Sequence, residues 1–140
     1  MRSFVLSGAV LLSALSLAPA CDQGTPPIPA SSDPEGKDLV KGAVVAAAES
    51  SGGIRLYKVV HVDDYPKPLG WELHMLAYDP KAKTFEDAAA LWKKGGMKVA
   101  HDHVQVQLVS FLPRDHRVLK VEPVTDEESK PYLKARDSRH

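Results

Sequence analysis

An α+β fold is what the sequence predicts: one small domain, with an antiparallel sheet of about four strands and helices packed on one face. Three observations lead there. Apolar and polar residues alternate with period two from Ile54 to Asp63, from Trp71 to Tyr78 and from Met97 to Leu112, which is strand patterning. Phe85, Ala88, Ala89 and Trp92 recur on one helical stripe between Thr84 and Gly95-Gly96. Of the 140 residues, 44% are hydrophobic and 26% are charged, which is enough apolar content for one core. Half-polar strands and amphipathic helices together favour an antiparallel sheet with one covered face.

The first element is predicted as a helix. Ser32-Asp33-Pro34-Glu35 has the S-x-x-E form of a capping box, with Pro34 early in the turn. The apolar run from Leu39 to Ala48 follows, and Ser50-Ser51-Gly52-Gly53 supplies a stop. The next strand places Ile54, Leu56, Val60 and Val62 on one face and Arg55, Tyr57, Val59, His61 and Asp63 on the other. Lys58 interrupts the apolar face, so this strand is expected near an edge. Tyr65 to Gly70 contains Pro66 and Pro68 and reads as a stiff loop. The second strand directs Trp71, Leu73, Met75 and Ala77 to the core and Glu72, His74, Leu76 and Tyr78 away from it.

Thr84 is a good N-cap for the second helix, and Lys93 and Lys94 suit its C-terminal end. In the third strand Val104, Val106, Leu108 and Leu112 share a face opposite His101, His103, Gln105 and Gln107. Pro113-Arg114-Asp115 reads as a turn, and Arg117 to Glu122 as a fourth strand at an edge. Thr125 and Glu128 can cap a short last helix, limited by Pro131, with a loose basic end. Both predicted helices carry an Ala triplet and end in Gly-Gly, and each is followed by a strand, so the order allows an αββ unit used twice.

Residues 1–20 have the plan of an export signal. Met1-Arg2 is a positive start, Phe4 to Leu17 is uncharged and mostly apolar, and Ala18-Pro19-Ala20 supplies small residues before a cleavage point. The apolar run falls short of the roughly 20 residues that span a bilayer as a helix. The single Cys of the chain, Cys21, comes directly after Ala20. Leu17-Ala18-Pro19-Ala20-Cys21 resembles the lipobox of a bacterial lipoprotein signal peptide. The resemblance covers residues 1–21 and departs from the pattern at Ala18, where that family usually has Leu. It implies that Cys21 is acylated and becomes the new N-terminus, so the membrane is a partner through a lipid anchor in the cell envelope. Two or more acyl chains hold firmly, at ~0.8 kcal/mol per buried methylene. Left free on a mobile terminus, the thiol would be open to oxidation. Asp22, next in the chain, is similar to the residue found there in enteric lipoproteins kept in the inner membrane. Residues 21–35 then read as the lipidated Cys and a Pro-rich tether, and residues 36–140 as the α+β domain.

The chain has 18 Lys plus Arg and 18 Asp plus Glu, a formal net charge of zero. That excludes a strongly basic nucleic-acid binder. One Cys excludes an intrachain disulfide and a Cys-rich metal knuckle. No G-x-S-x-G, no Cys–His pair and no phosphate-loop pattern is present. Chemistry is therefore sought on the sheet face left open. It is expected to carry Tyr57, His61, Glu72, His74, Tyr78, His101, His103, Gln105 and Gln107. Adaptable polar and aromatic groups of this kind suit a recognition surface for an envelope protein or a glycan. The expected role is non-enzymatic binding or accessory work in the envelope. The alternative is a metal-binding protein or metalloenzyme using His101, His103 and His74, since imidazoles two apart on a strand point the same way and suit Zn, Cu or Ni. Asp63-Asp64 beside His61 reads either as an acid–base cluster or as a strand end entering a loop.

Overall fold

The computed structural model describes residues 33–139. The predicted signal, Cys21 and the tether up to Ser32 lie outside the described residues. In chain order the elements are β1 (Ala43–Ala48), β2 (Ile54–Tyr65), β3 (Gly70–Asp79), α1 (Phe85–Lys94), β4 (Lys98–Gln107), α2 (Leu108–Phe111), β5 (His116–Val121) and α3 (Asp126–Asp137). The strands form one antiparallel sheet in the order β4-β3-β2-β1-β5. The class is α+β, with five strands where about four were expected. Among the described residues no helix is long and apolar enough to cross a membrane.

The extra strand is the segment predicted as the first helix. Asp33 caps a turn instead, its Oδ1 accepting the Glu35 N–H at 2.8 Å. Ala43 to Ala47 then run as β1 between β2 and β5, fully buried. A strand buried on both faces shows no alternation, so its apolar run looks like a buried helix. Gly42 admits the chain to this position. Its φ is +91°, and a Cβ there would stand 2.1 Å from the Glu122 carbonyl oxygen. With its first helix absent, the expected αββ repeat does not describe the first half of the domain.

Helices cover both faces of the sheet, not one. Ala88 of α1 and Tyr132 of α3 pack on Val44, Ala46, Leu56, Val60 and Leu76. Leu108 and Phe111 of α2, with Leu39, pack on Ala43, Val45, Val59, Leu73 and Met75. The open polar face is therefore absent: Tyr57, His74 and Tyr78 are all buried. Tyr57 instead meets Phe111 edge-on, and Tyr78 meets Trp92 in the same way. Trp71, expected in the core, is 39% exposed.

Lys58 lies in the interior strand β2, only 2% exposed, rather than near an edge. Its burial is supported by full hydrogen bonding. Nζ donates to Glu128 Oε2 at 2.8 Å and to the Pro123 carbonyl at 2.9 Å, and Glu122 lies 3.9 Å away. Glu128 also closes the predicted capping box with Thr125. That box and the buried Tyr132 anchor α3, which runs through Pro131 to Asp137 instead of stopping short. A proline inside a helix removes one bond, and packing outweighs the loss here.

A second, partly buried network joins the β1–β2 connection to β3. Glu49 accepts from Arg55 Nε at 2.6 Å and from the Tyr57 hydroxyl at 2.9 Å, and it pairs with Lys81 at 2.6 Å. Arg55 also reaches Asp79 at 2.7 Å. Burial alone would raise the Glu49 carboxyl, but these donors outweigh it and hold it down at about 2.

Candidate functional site

Two register shifts decide which polar side chains meet. Along β2 and β3, Val59 lies opposite Met75, but His61 lies opposite His74. Two steps on β2 thus match one on β3. This bulge turns His61 and Asp63 onto the α3 face, where plain alternation from Tyr57 would have put them beneath α2. Glu72 pairs with Asp63 and His74 with His61, giving a block of four on adjacent strands.

The second shift falls on β4, where Val104 lies opposite Met75 but His101 lies opposite Ala77. Three residues there match two on β3. Gln105 stands opposite His74, and His103 joins the same face. The extra residue breaks the alternation between His103 and His101. His101 stays exposed on the edge strand, outside the cluster, so the expected His101–His103 ligand pair is not formed. Gln107 lies opposite Glu72, half-buried, at the start of α2.

The result is a hydrogen-bonded chain beneath α3. His74 Nε2 lies 2.8 Å from Asp63 Oδ2, and His74 Nδ1 lies 3.0 Å from His103 Nε2. Asp63 Oδ1 lies 3.0 Å from His61 Nε2. Tyr132 covers the group from α3, its ring centroid 4.4 Å from that of His61 and 4.6 Å from that of His74. Its hydroxyl reaches Asp63 Oδ1 at 3.5 Å, and that of Tyr65 reaches Oδ2 at 3.4 Å.

The protons in this chain follow from the charges. Burial would raise the Asp63 carboxyl, but His74 and His61 outweigh it and hold it below its ordinary value. Burial holds the His74 imidazole below its ordinary value, against the pull of Asp63 and Glu72. Near neutral pH Asp63 is then ionised and His74 is neutral. A carboxylate only accepts, so the His74 hydrogen sits on Nε2 and points at Asp63. His74 Nδ1 is left to accept from His103 Nε2–H.

Glu72 has no such partner. Its Oε1 lies 3.3 Å from His74 Nε2, outside hydrogen-bonding geometry, and that hydrogen is committed to Asp63. Oε1 is buried and has no hydrogen-bond donor among the described residues. A buried carboxylate oxygen without a donor is costly and calls for an explanation. One donor atom each from Asp63, Glu72 and His74 lies within 4.8 Å of the others.

A cleft of about 210 Å³ opens from this cluster, lined by Asp63, Tyr65, His74, His103, Tyr132, Ala135, Arg136 and Arg139. Arg139 Nη2 donates to Gln105 Oε1 at 2.6 Å across its rim. The basic end of the chain, expected to be loose, thus supplies part of the wall. Of the residues expected on an open face, His61, Glu72, His74 and His103 come together here, and Gln105 stands at the rim. Tyr57, Tyr78 and His101 do not. Tyr65, Tyr132, Arg136 and Arg139 were missed. For Tyr132, Arg136 and Arg139 the one sequence signal is the capping box that starts α3, and Tyr65 has none.

Fold and cluster together define a small α+β domain with a His–carboxylate group, centred on the buried His74, that lines a cleft. A comparison with protein-family models gives no match, and comparisons with curated proteins and with solved structures give none either.

Proposed function

We propose that this is a lipid-anchored envelope protein that binds a divalent transition-metal ion, without catalysis, through Asp63, Glu72 and His74. The observation that carries the reading is the buried, donorless Glu72 oxygen beside His74 Nε2 and Asp63 Oδ2. Two carboxylates and a neutral imidazole bring two negative charges to one point, and a divalent cation balances both. A ligating imidazole offers its lone pair and donates its other N–H to a second group. His103 Nε2, 3.0 Å from His74 Nδ1, is placed to take that hydrogen. A bound ion would hold His74 with its hydrogen on Nδ1 in place of Nε2, and His103, with its hydrogen on its own Nδ1, would accept from it. Mixed nitrogen and oxygen donors suit Zn, Cu and Ni. The ligand set differs from the one expected from sequence by exchanging His101 and His103 for Asp63 and Glu72.

The test is calorimetric titration of Zn²⁺, Cu²⁺ and Ni²⁺ into the purified chain. One ion is expected per chain, bound about 10- to 100-fold more weakly by Glu72→Gln and by His74→Gln. Absence of binding by all three ions, or binding by both variants as tight as by the wild type, would overturn the reading. The anchor rests on the lipobox-like residues 17–21 and is tested separately. Cys21→Ser is expected to move the protein from the membrane to the soluble fraction. Unchanged membrane retention and processing would refute lipidation.

A further inference from the structure

The three donors do not fill a metal's coordination sphere, and two of them, Asp63 and His74, line the opening of the cleft. A tetrahedral ion held by three protein groups keeps one position, and an octahedral ion keeps more. What stands around that opening is cationic. Arg136 and Arg139, one turn apart near the end of α3, line the same cleft as His74 and Asp63. Arg136 is partly paired with Asp137, and Arg139 bonds the neutral Gln105. With a divalent ion in place, the two carboxylates below are neutralised and the mouth keeps its positive charge.

We propose that the site takes its metal together with a small organic carboxylate, which ligates the ion at its open position and is held by Arg136 and Arg139. This deepens the metal reading and rests on it. Guanidinium groups match carboxylates in a two-pronged geometry that a single point charge does not offer. Tyr65 and Tyr132 line the same cleft with their hydroxyls turned to Asp63, so the two Arg side chains supply the donors. The cleft, at about 210 Å³, is smaller than the roughly 300–1,000 Å³ usual for a drug-sized ligand, so the anion is a small one. Without metal the same anion would face Asp63 and Glu72 and be repelled, so metal and carboxylate bind cooperatively.

Malonate is the probe. It is titrated by calorimetry into the purified chain, metal-free and loaded with Zn²⁺, and into a zinc-loaded R136Q/R139Q variant. Malonate is expected to bind the loaded wild type at least about ten-fold more tightly than either the metal-free protein or the loaded variant. Zinc affinity measured alone is expected to stay within about three-fold in the variant, since neither Arg is a donor to the ion. Should the double variant be misfolded by circular dichroism, R136K/R139K replaces it. That variant keeps the charge, loses the fork and is expected to bind malonate at an intermediate level. Equal malonate binding by loaded wild type and variant, equal binding without zinc, or no malonate binding while zinc binds, overturns the inference and leaves the metal reading standing. Failure of zinc to bind overturns both.

Discussion

Lys58→Met is expected to destabilise the domain by about 2–4 kcal/mol. Met fills nearly the same volume, so the change is electrostatic. It leaves the Glu128 carboxylate and the Pro123 carbonyl without the donor that now serves both. Breaking one partner of a buried pair typically costs about 3–5 kcal/mol, and the lower range applies because Glu128 is 23% exposed and hydrates in part. Glu128 also holds the first turn of α3, so the loss is expected to fall on that helix. Amide exchange across Asp126–Asp137 should quicken more than exchange in β2 and β3. Lys58→Met with Glu128→Met removes both charges and is expected to recover part of the loss. The check is urea denaturation of the wild type and the two variants. A Lys58→Met change under about 0.5 kcal/mol would refute the claim that this pair ties α3 down.

Acid is expected to weaken the fold through Glu49. Its carboxyl is held down at about 2 in the folded chain, below the ordinary 4.5. A depressed carboxyl stabilises the fold fully above its unfolded pKa, and that stability is lost as pH falls through 4.5 toward 2. The undamped shift corresponds to about 3 kcal/mol, and water at the outer edge of the group screens it to about 2 kcal/mol. Glu49→Gln keeps the shape and removes the charge. Relative to wild type it is expected to be less stable by about 2 kcal/mol at pH 7, with the difference closing as pH approaches 2. Denaturation midpoints from pH 7 to pH 2 test this. A difference that stays constant with pH would show that Arg55 and Lys81 do not depress this carboxyl.

Much of the fold can be read from the residues, and the failures have physical causes. Thr84, the Phe85–Trp92 stripe and Gly95 define α1 because capping and helical period act locally. The β2–β3 hairpin follows from alternation in the same way, and the edge position of β5 from its less clean pattern. The β1 strand is invisible because it is buried on both sides, and Val44 and Val45 amid alanines carry no period. Lys58 misled for a related reason. An apolar stripe broken by a cation suggests an edge, unless a carboxylate 70 residues away arrives to pair with it. The histidines of the candidate site were visible as a group, but their company was not. One extra residue in β2 and one between His101 and Val104 in β4 reassign these faces, and no local signal announces a bulge. That is why His101 dropped out and Asp63, first read as an acid–base group or a strand end, became the hub.

The donors Asp63, Glu72 and His74 all belong to one hairpin, whereas the helix above them comes from the far end of the chain. Closing a hairpin takes microseconds and needs nothing beyond its own two strands and turn. Docking Tyr132 against Asp63 joins residues 69 apart and waits for the rest of the domain. The cluster is therefore expected to form uncovered, and pulsed amide exchange that protects β2 and β3 before Asp126–Asp137 would show its roof being laid last.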